Sequence, residues 1–277
     1  MSNYLKLVNF ELSRFMKLYV VMICFTIIMQ ITGVIVKSKS YMGLANEEMY
    51  KNMMSKTEFI NQHGEFSFYW LTQSIWFMGP IALCGAALLF YMFLIWYRDW
   101  LGKNTFIYRL LMIPTARMNV YLAKATTIFL MVIGMVALQL ALFPVEAVVM
   151  QWMVPVDFRL DLNILQTIFS LNFAAVLFPL TPTEFFLWYG AGAMSILVIF
   201  TAILFERSFR WKGILIGVVY IALSVGLLML PVLIDEFFMY GYLYPIELVG
   251  ITIVMGLLVT GMSLFTSHYL LNKKVTV

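Results

Sequence analysis

Apolar residues run almost unbroken at six places in this chain, over residues 18–36, 74–97, 125–150, 185–205, 213–234 and 248–271. A helix crossing the ~30 Å hydrocarbon core of a bilayer needs about 20 such residues. None of the six runs contains Lys, Arg or Asp, and Glu146 is their only acidic residue, near one end of its run. The pattern predicts six transmembrane helices. Residues 164–180 form a seventh apolar stretch, but it is short, holds Asn172 and ends in the breaker Pro179, Thr181, Pro182.

Charge placement decides the topology. With six spans and the N-terminus inside, the cytoplasmic segments are 1–17, 98–124, 206–212 and 272–277. They hold Lys6, Arg14, Lys17, Arg98, Lys103, Arg109, Arg117, Lys124, Arg207, Arg210, Lys212, Lys273 and Lys274, thirteen of the 18 basic residues. Only Glu11, Asp99 and Glu206 of the 14 acids share that side. A spanning 164–180 would send the 206–212 loop and the C-terminal lysines outside, against the positive-inside rule. That segment is therefore expected on the outer surface or re-entrant, which requires protein or a water-filled cavity to satisfy its backbone. Trp96, Trp100 and Trp211 fall at the expected inner interface, and Trp70, Trp76, Trp152 and Trp188 at the outer one. Both termini are expected in the cytoplasm of an inner-membrane protein.

Composition agrees. Of 277 residues, 63% are hydrophobic and 12% charged, against roughly 25% charged in soluble domains. The net charge of +4 comes with no dense basic patch, so no nucleic-acid partner is expected. Cys24 and Cys84 both lie in apolar runs and read as two small buried hydrophobes. The first run is too long for a signal-peptide core and no cleavage site follows it, so it reads as an uncleaved span.

Between the spans, the polar positions thin out into short patterns. Leu5, Val8, Leu12, Phe15 and Met16 recur at helical spacing among Lys6, Glu11, Arg14 and Lys17. This predicts an amphipathic helix over 1–17 along the cytoplasmic interface, with a plain extension of the first span as the alternative. Residues 37–73 and 151–184 are expected to be external, the first with a short helix around 46–59. Residues 98–124 hold two apolar clusters, 106–107 and 110–113, among five basic residues. Thr105 can cap a short helix that Pro114 terminates. A cytosolic helix of this kind has no obvious packing partner in its own chain, so either a partner's groove or the lipid headgroups would cover its apolar face.

The order Asp99, Gly102, Thr105, Leu110, Leu111, Pro114, Arg117, Lys124 resembles the first cytoplasmic loop of ABC-2 type permeases. The six spans, interfacial N-terminal helix and long first external loop resemble that family along the whole chain. The match is imperfect: Asp99 stands nearly alone where family loops often carry a Glu-rich stretch, and Lys103 and Asn104 separate the Gly from the Thr. The resemblance implies one permease domain over 1–277 and a coupling helix in which Asp99, Gly102, Thr105, Phe106, Leu110, Leu111, Pro114 and Arg117 meet a separate cytosolic ATPase. It implies two ATPase copies that bind ATP and Mg, a second permease copy or homologue, and export of an amphipathic, peptide or lipid-like substrate.

Motif chemistry fits a chain with no catalysis of its own. There is no GxxxxGK[ST], no HExxH and no GxSxG, and the only histidines are His63 and His268. No cofactor or metal site is expected within the chain. Thr26, Gln30, Thr32, Gln139, Ser195, Thr201, Ser224, Thr252, Thr260 and Ser263 are among the few polar residues of the spans, read first as interhelical hydrogen-bonding groups. Gln30, Gln139 and Glu146 are the candidates for a substrate path; Glu146 and Glu247, near the outer ends of their runs, read either as meeting a cationic headgroup or peptide or, more often for such residues, as simply reaching interfacial water. Gly213 and Gly217 permit close helix approach, within the chain or at a dimer seam. The alternative function is a non-transporting immunity or sensor module that recruits a cytosolic partner.

Overall fold

The computed structural model describes residues 3–100, 106–112, 115–161, 163, 166, 174–238 and 241–274. Among these, six helices are long and apolar enough to cross a membrane. They are α1 (Asn3–Lys51), α4 (Ile75–Trp100), α6 (Arg117–Met153), α8 (Pro182–Phe209), α9 (Trp211–Phe237) and α10 (Pro245–Lys273). Each of the six apolar runs lies inside one of them, except that Ser74 immediately precedes α4. Shorter helices are α2 (Lys56–His63), α3 (Phe68–Thr72), α5 (Phe106–Leu111) and α7 (Ala174–Leu177). Two-residue strands β1 (Phe66–Ser67) and β2 (Arg159–Leu160) pair in parallel. Most of 164–173 lies outside the described residues, and the rest of the expected surface or re-entrant segment contains only the short α7.

The helix ends differ from the sequence reading. α1 is one unbroken helix of 49 residues, so residues 3–17 extend the first span and residues 37–51 are helical too. One buried stripe explains this continuity. Leu7, Val8, Glu11, Phe15, Met22, Thr26, Gln30, Val34, Ser38 and Ala45 are buried at helical spacing. Leu5 and Met16, expected on the packed face, are exposed instead. Beyond Lys51 a capping box starts α2: the Ser55 backbone N–H donates to Glu58, and the Glu58 N–H donates to Ser55 Oγ. Those Ser55 bonds, backbone first, hold the exposed Glu58 carboxyl below its usual pKa.

The chain divides into two compact units. The first comprises residues 1–14, 89–130 and 181–277, the second 15–88 and 131–180. In the second unit an aromatic core gathers Phe59, Phe66, Phe68, Phe77, Phe143 and Phe158. The polar stretch after α1 thus contributes core residues rather than a free loop. In the first unit α8, α9 and α10 pack on one another, and Trp96 is buried against Tyr121 and Phe200. Trp96 is therefore a core residue, whereas Trp70, Trp152 and Trp211 are exposed as interfacial anchors would be. Cys84 is buried as expected and Cys24 is exposed.

The α8–α9 hairpin turns on a single residue, Arg210, at φ 54° and ψ −129°. Two glycines let the returning helix approach. A Cβ on Gly213 would lie 2.7 Å from Glu206 Cα and nearer still to the Phe205 carbonyl. A Cβ on Gly217 would lie 3.0 Å from the Ala202 carbonyl oxygen. The Gly213 and Gly217 pair therefore serves packing within the chain. Gly213→Ala is expected to cost about 1–3 kcal/mol, because backbone must yield to the new methyl group. Gly226→Ala, into open space on the same helix, is the control. Thermal melting of the two purified variants checks this; equal midpoints would remove the close-approach argument.

Candidate functional site

In the first unit, five charged residues from three helices converge. Glu11 and Arg14 come from α1, Arg98 and Asp99 from α4, and Lys124 from α6. Lys124 Nζ donates to Glu11 Oε1 at 2.7 Å, to the Ile95 carbonyl at 3.0 Å and to Asp99 Oδ2. Its three N–H donors are thereby used. Arg98 Nη2 donates to Glu11 Oε2 at 3.1 Å, and Arg14 Nη1 to Asp99 Oδ1 at 2.8 Å. All four carboxylate oxygens are engaged. The Lys124, Asp99 and Glu11 side chains are 0%, 0% and 2% exposed, while Arg14 and Arg98 reach outward at 24% and 32%. Ions taken out of water are tolerable only with such complete pairing.

Local sequence places these groups. Glu11 sits four residues after Leu7 and four before Phe15, so the helical period puts an acid on the buried stripe. Lys124 lies on the buried face of α6 between Tyr121 and Ile128. The acid on an apolar stripe was the available sequence signal. In the sequence, Lys124, Glu11, Arg14 and Arg98 stand out only as charges of the cytoplasmic segments.

The short helix α5 is tied to this cluster. Arg14 lies 5.1 Å from the Phe10 ring centroid and 5.2 Å from that of Phe106, and the two rings stack at 5.9 Å. A guanidinium held between aromatic faces links α5 to the α1 and α4 charges. Ile107, Leu110 and Leu111 are buried within the chain. This corrects the expectation that the helix lacks a packing partner of its own: its apolar face is already covered. What α5 leaves open is Tyr108, Arg109 and Met112, the last 74% exposed. Of the remaining residues singled out in this segment, Gly102, Thr105 and Pro114 lie outside the described residues. Asp99 belongs to the ion cluster. Arg117 Nη1 donates at 2.7 Å to the Leu271 carbonyl, in the last turn of α10, where a basic group is favoured.

The spans hold two sets of polar contacts. In the first unit, Tyr121 donates to the Leu197 carbonyl, Thr201 Oγ1 meets Ser267 Oγ at 2.9 Å, and Tyr220 OH meets Ser263 Oγ at 2.7 Å. These hydroxyls join α6, α8, α9 and α10, as polar residues inside membrane bundles commonly do. Ser195, Ser224, Thr252 and Thr260 instead donate to the carbonyl four residues back in their own helices. In the second unit, Gln30 Nε2 donates to Gln139 Oε1 at 3.0 Å and to the Phe77 carbonyl at 3.3 Å. The structure thus brings together two of the three residues considered for a substrate path.

The third, Glu146, is 0% exposed and does not reach interfacial water. Neither of its carboxylate oxygens has a hydrogen-bond partner among the described residues. Glu247 is exposed and accepts from the Tyr244 N–H at the start of α10. Among the described residues no group of three metal-ligating side chains is found. No family model, no curated protein and no solved structure matches this chain.

Proposed function

We propose that this chain is the membrane subunit of an ABC exporter, with both termini on the cytoplasmic side of the inner membrane and ATP hydrolysis carried out by a separate subunit. The observation that carries the proposal is α5, a short helix between two spans with its inner face anchored and its outer face open. The loop that holds it resembles that of ABC-2 permeases, and the concentration of basic residues at this end supports its cytoplasmic placement. Two ATPases, binding ATP and Mg, would dock on two such permeases and press on Tyr108, Arg109 and Met112. Arg14 then offers a route for that push. It contacts Phe106 on one side and Asp99 on the other, so displacement of α5 loads α1 and α4 together. The cargo in this reading is amphipathic, peptide or lipid-like, because the spans carry few polar groups.

The test is affinity purification of the tagged chain from its native membranes. A cytosolic ATPase is expected to co-purify with it. Arg109→Glu combined with Met112→Asp is expected to lose the ATPase while leaving the chain's melting midpoint in place. An ATPase that stays bound to this variant moves the docking surface elsewhere. Purification with a partner that does not hydrolyse ATP favours the non-transporting recruitment module instead.

A further inference from the structure

Glu146 breaks a rule that the rest of the chain keeps. Glu11 and Asp99 are equally buried, and each of their oxygens receives a donor. Glu146 is as deeply buried, yet both its oxygens lack a partner among the described residues. A carboxylate in apolar surroundings costs several kcal/mol unless it is paired or neutralised, so an intramembrane acid with no partner points to something that binds there.

Its neighbours share the deficit. Gln139, Phe143, Glu146 and Met150 are buried along one face of α6. Tyr19 donates to the Met131 carbonyl and Gln30 to Gln139, so α1 and α6 run in the same direction through the second unit. Carried two turns beyond the Gln30–Gln139 bond, that register sets Ser38 at the level of Glu146. Ser38 Oγ is fully buried and without a partner among the described residues, as is Gln30 Oε1 about 12 Å away along α1. Gln139 Nε2 is an unused amide donor on this seam, and the unused oxygens, Gln30 Oε1, Ser38 Oγ and both of Glu146, outnumber it. Phe143, one turn before Glu146, packs against Phe68 at 6.0 Å and Phe77 at 5.8 Å between ring centroids.

We propose that Glu146 and Ser38 form a binding site for one protonated primary amine, carried by an amphipathic molecule. An ammonium brings three N–H donors and a positive charge to two acid oxygens and a hydroxyl that can accept. An anionic or donor-free amphiphile leaves both Glu146 oxygens without a donor. Gln30 Oε1 is then a second station on the same seam. This deepens the exporter proposal by naming the chemistry of its cargo, and it rests on that proposal only for the word cargo.

The experiment needs the full-length chain alone, in detergent, with no ATPase. Dicyclohexylcarbodiimide is expected to add one N-acylurea to Glu146, located by peptide mass. Dodecylammonium, at about ten times its Kd, is expected to slow that labelling about tenfold. Dodecanol and dodecanoate are expected to leave it unchanged. The same amine is expected to raise the melting midpoint of the native chain and of Glu146→Asp, and to leave that of Glu146→Gln unmoved. Vesicles of phosphatidylethanolamine, compared with phosphatidylglycerol, separate the two sources of an amine. Protection by the former assigns the site to a lipid headgroup, and protection by dodecylammonium alone assigns it to a soluble amphiphile. Equal protection by dodecanol overturns the proposal, as does absence of protection by any amine. A shift that persists in Glu146→Gln overturns it too. Because no ATPase is present, a failure here leaves the exporter reading standing, and failure of co-purification leaves this site standing.

Discussion

Replacing Lys124 with methionine is expected to unfold the charged end of the first unit. The methionine has similar volume, so the change removes charge rather than bulk. Glu11 and Asp99 then remain buried with only the half-exposed arginines to balance them, and the Ile95 carbonyl loses a donor. Removing one partner of a buried pair costs about 3–5 kcal/mol, a large share of what holds a domain together. The purified variant should melt well below the native chain or fail to accumulate in membranes. Adding Asp99→Asn to Lys124→Met should recover much of the loss, since the orphaned charge goes with it. Arg98→Ala, which takes the donor from the buried Glu11 Oε2, should cost a smaller amount, about 1–3 kcal/mol. A Lys124→Met chain with a native midpoint would show that the cluster does not hold the fold.

Leu110→Asp is the second large effect, and it separates two roles that a pull-down alone would confuse. Leu110 is 3% exposed, so the change removes a packed side chain and places a carboxylate in apolar surroundings. A loss of roughly 4 kcal/mol or more is expected. Met112→Asp, one helix position past the end of α5 and largely exposed, should stay within about 0.5 kcal/mol of the native chain. Urea or detergent-denaturation curves of the two variants test this. A stable Leu110→Asp would restore that side chain to the docking surface. Loss of a partner on Leu110→Asp, taken alone, says nothing about docking.

The same helix shows what a sequence does and does not reveal. Amphipathic spacing marked residues 106–113 as a helix with one apolar face, and the structure agrees about the face. Whether that face is open or covered depends on where α1 passes, and no local pattern encodes that. The spans were legible because a bilayer imposes a length and a polarity on each of them. Their ends were not, because helices continue past the bilayer wherever side chains find packing. Residues 37–51 of α1 are polar enough to read as a loop, yet Ser38, Ala45 and Met49 keep the buried stripe going and Glu47 pairs with Lys51 one turn on. The ion cluster was the least legible part. Its members are ordinary charges in the sequence, and only the fold brings Glu11, Asp99 and Lys124 together. Glu146 is legible as an acid in an apolar run, but its position near the end of that run suggests an access to water that packing removes.

The unbroken length of α1 carries one more consequence. At 49 residues and 1.5 Å per residue the helix is about 74 Å long, more than twice the ~30 Å hydrocarbon thickness. Along it, Tyr19 and Gln30 must each face its own partner on α6, and every residue between them turns the helix by about 100°. The two contacts are therefore locked in angular phase. Deleting one residue between them would swing one contact a quarter-turn and more away, with no loop to absorb the error. A change of seven residues nearly restores the angle but shifts the helix axially by about 10 Å. Evolution can vary the side chains of α1 freely on its lipid-facing flank, while its length between these two contacts behaves as a fixed constant of the molecule.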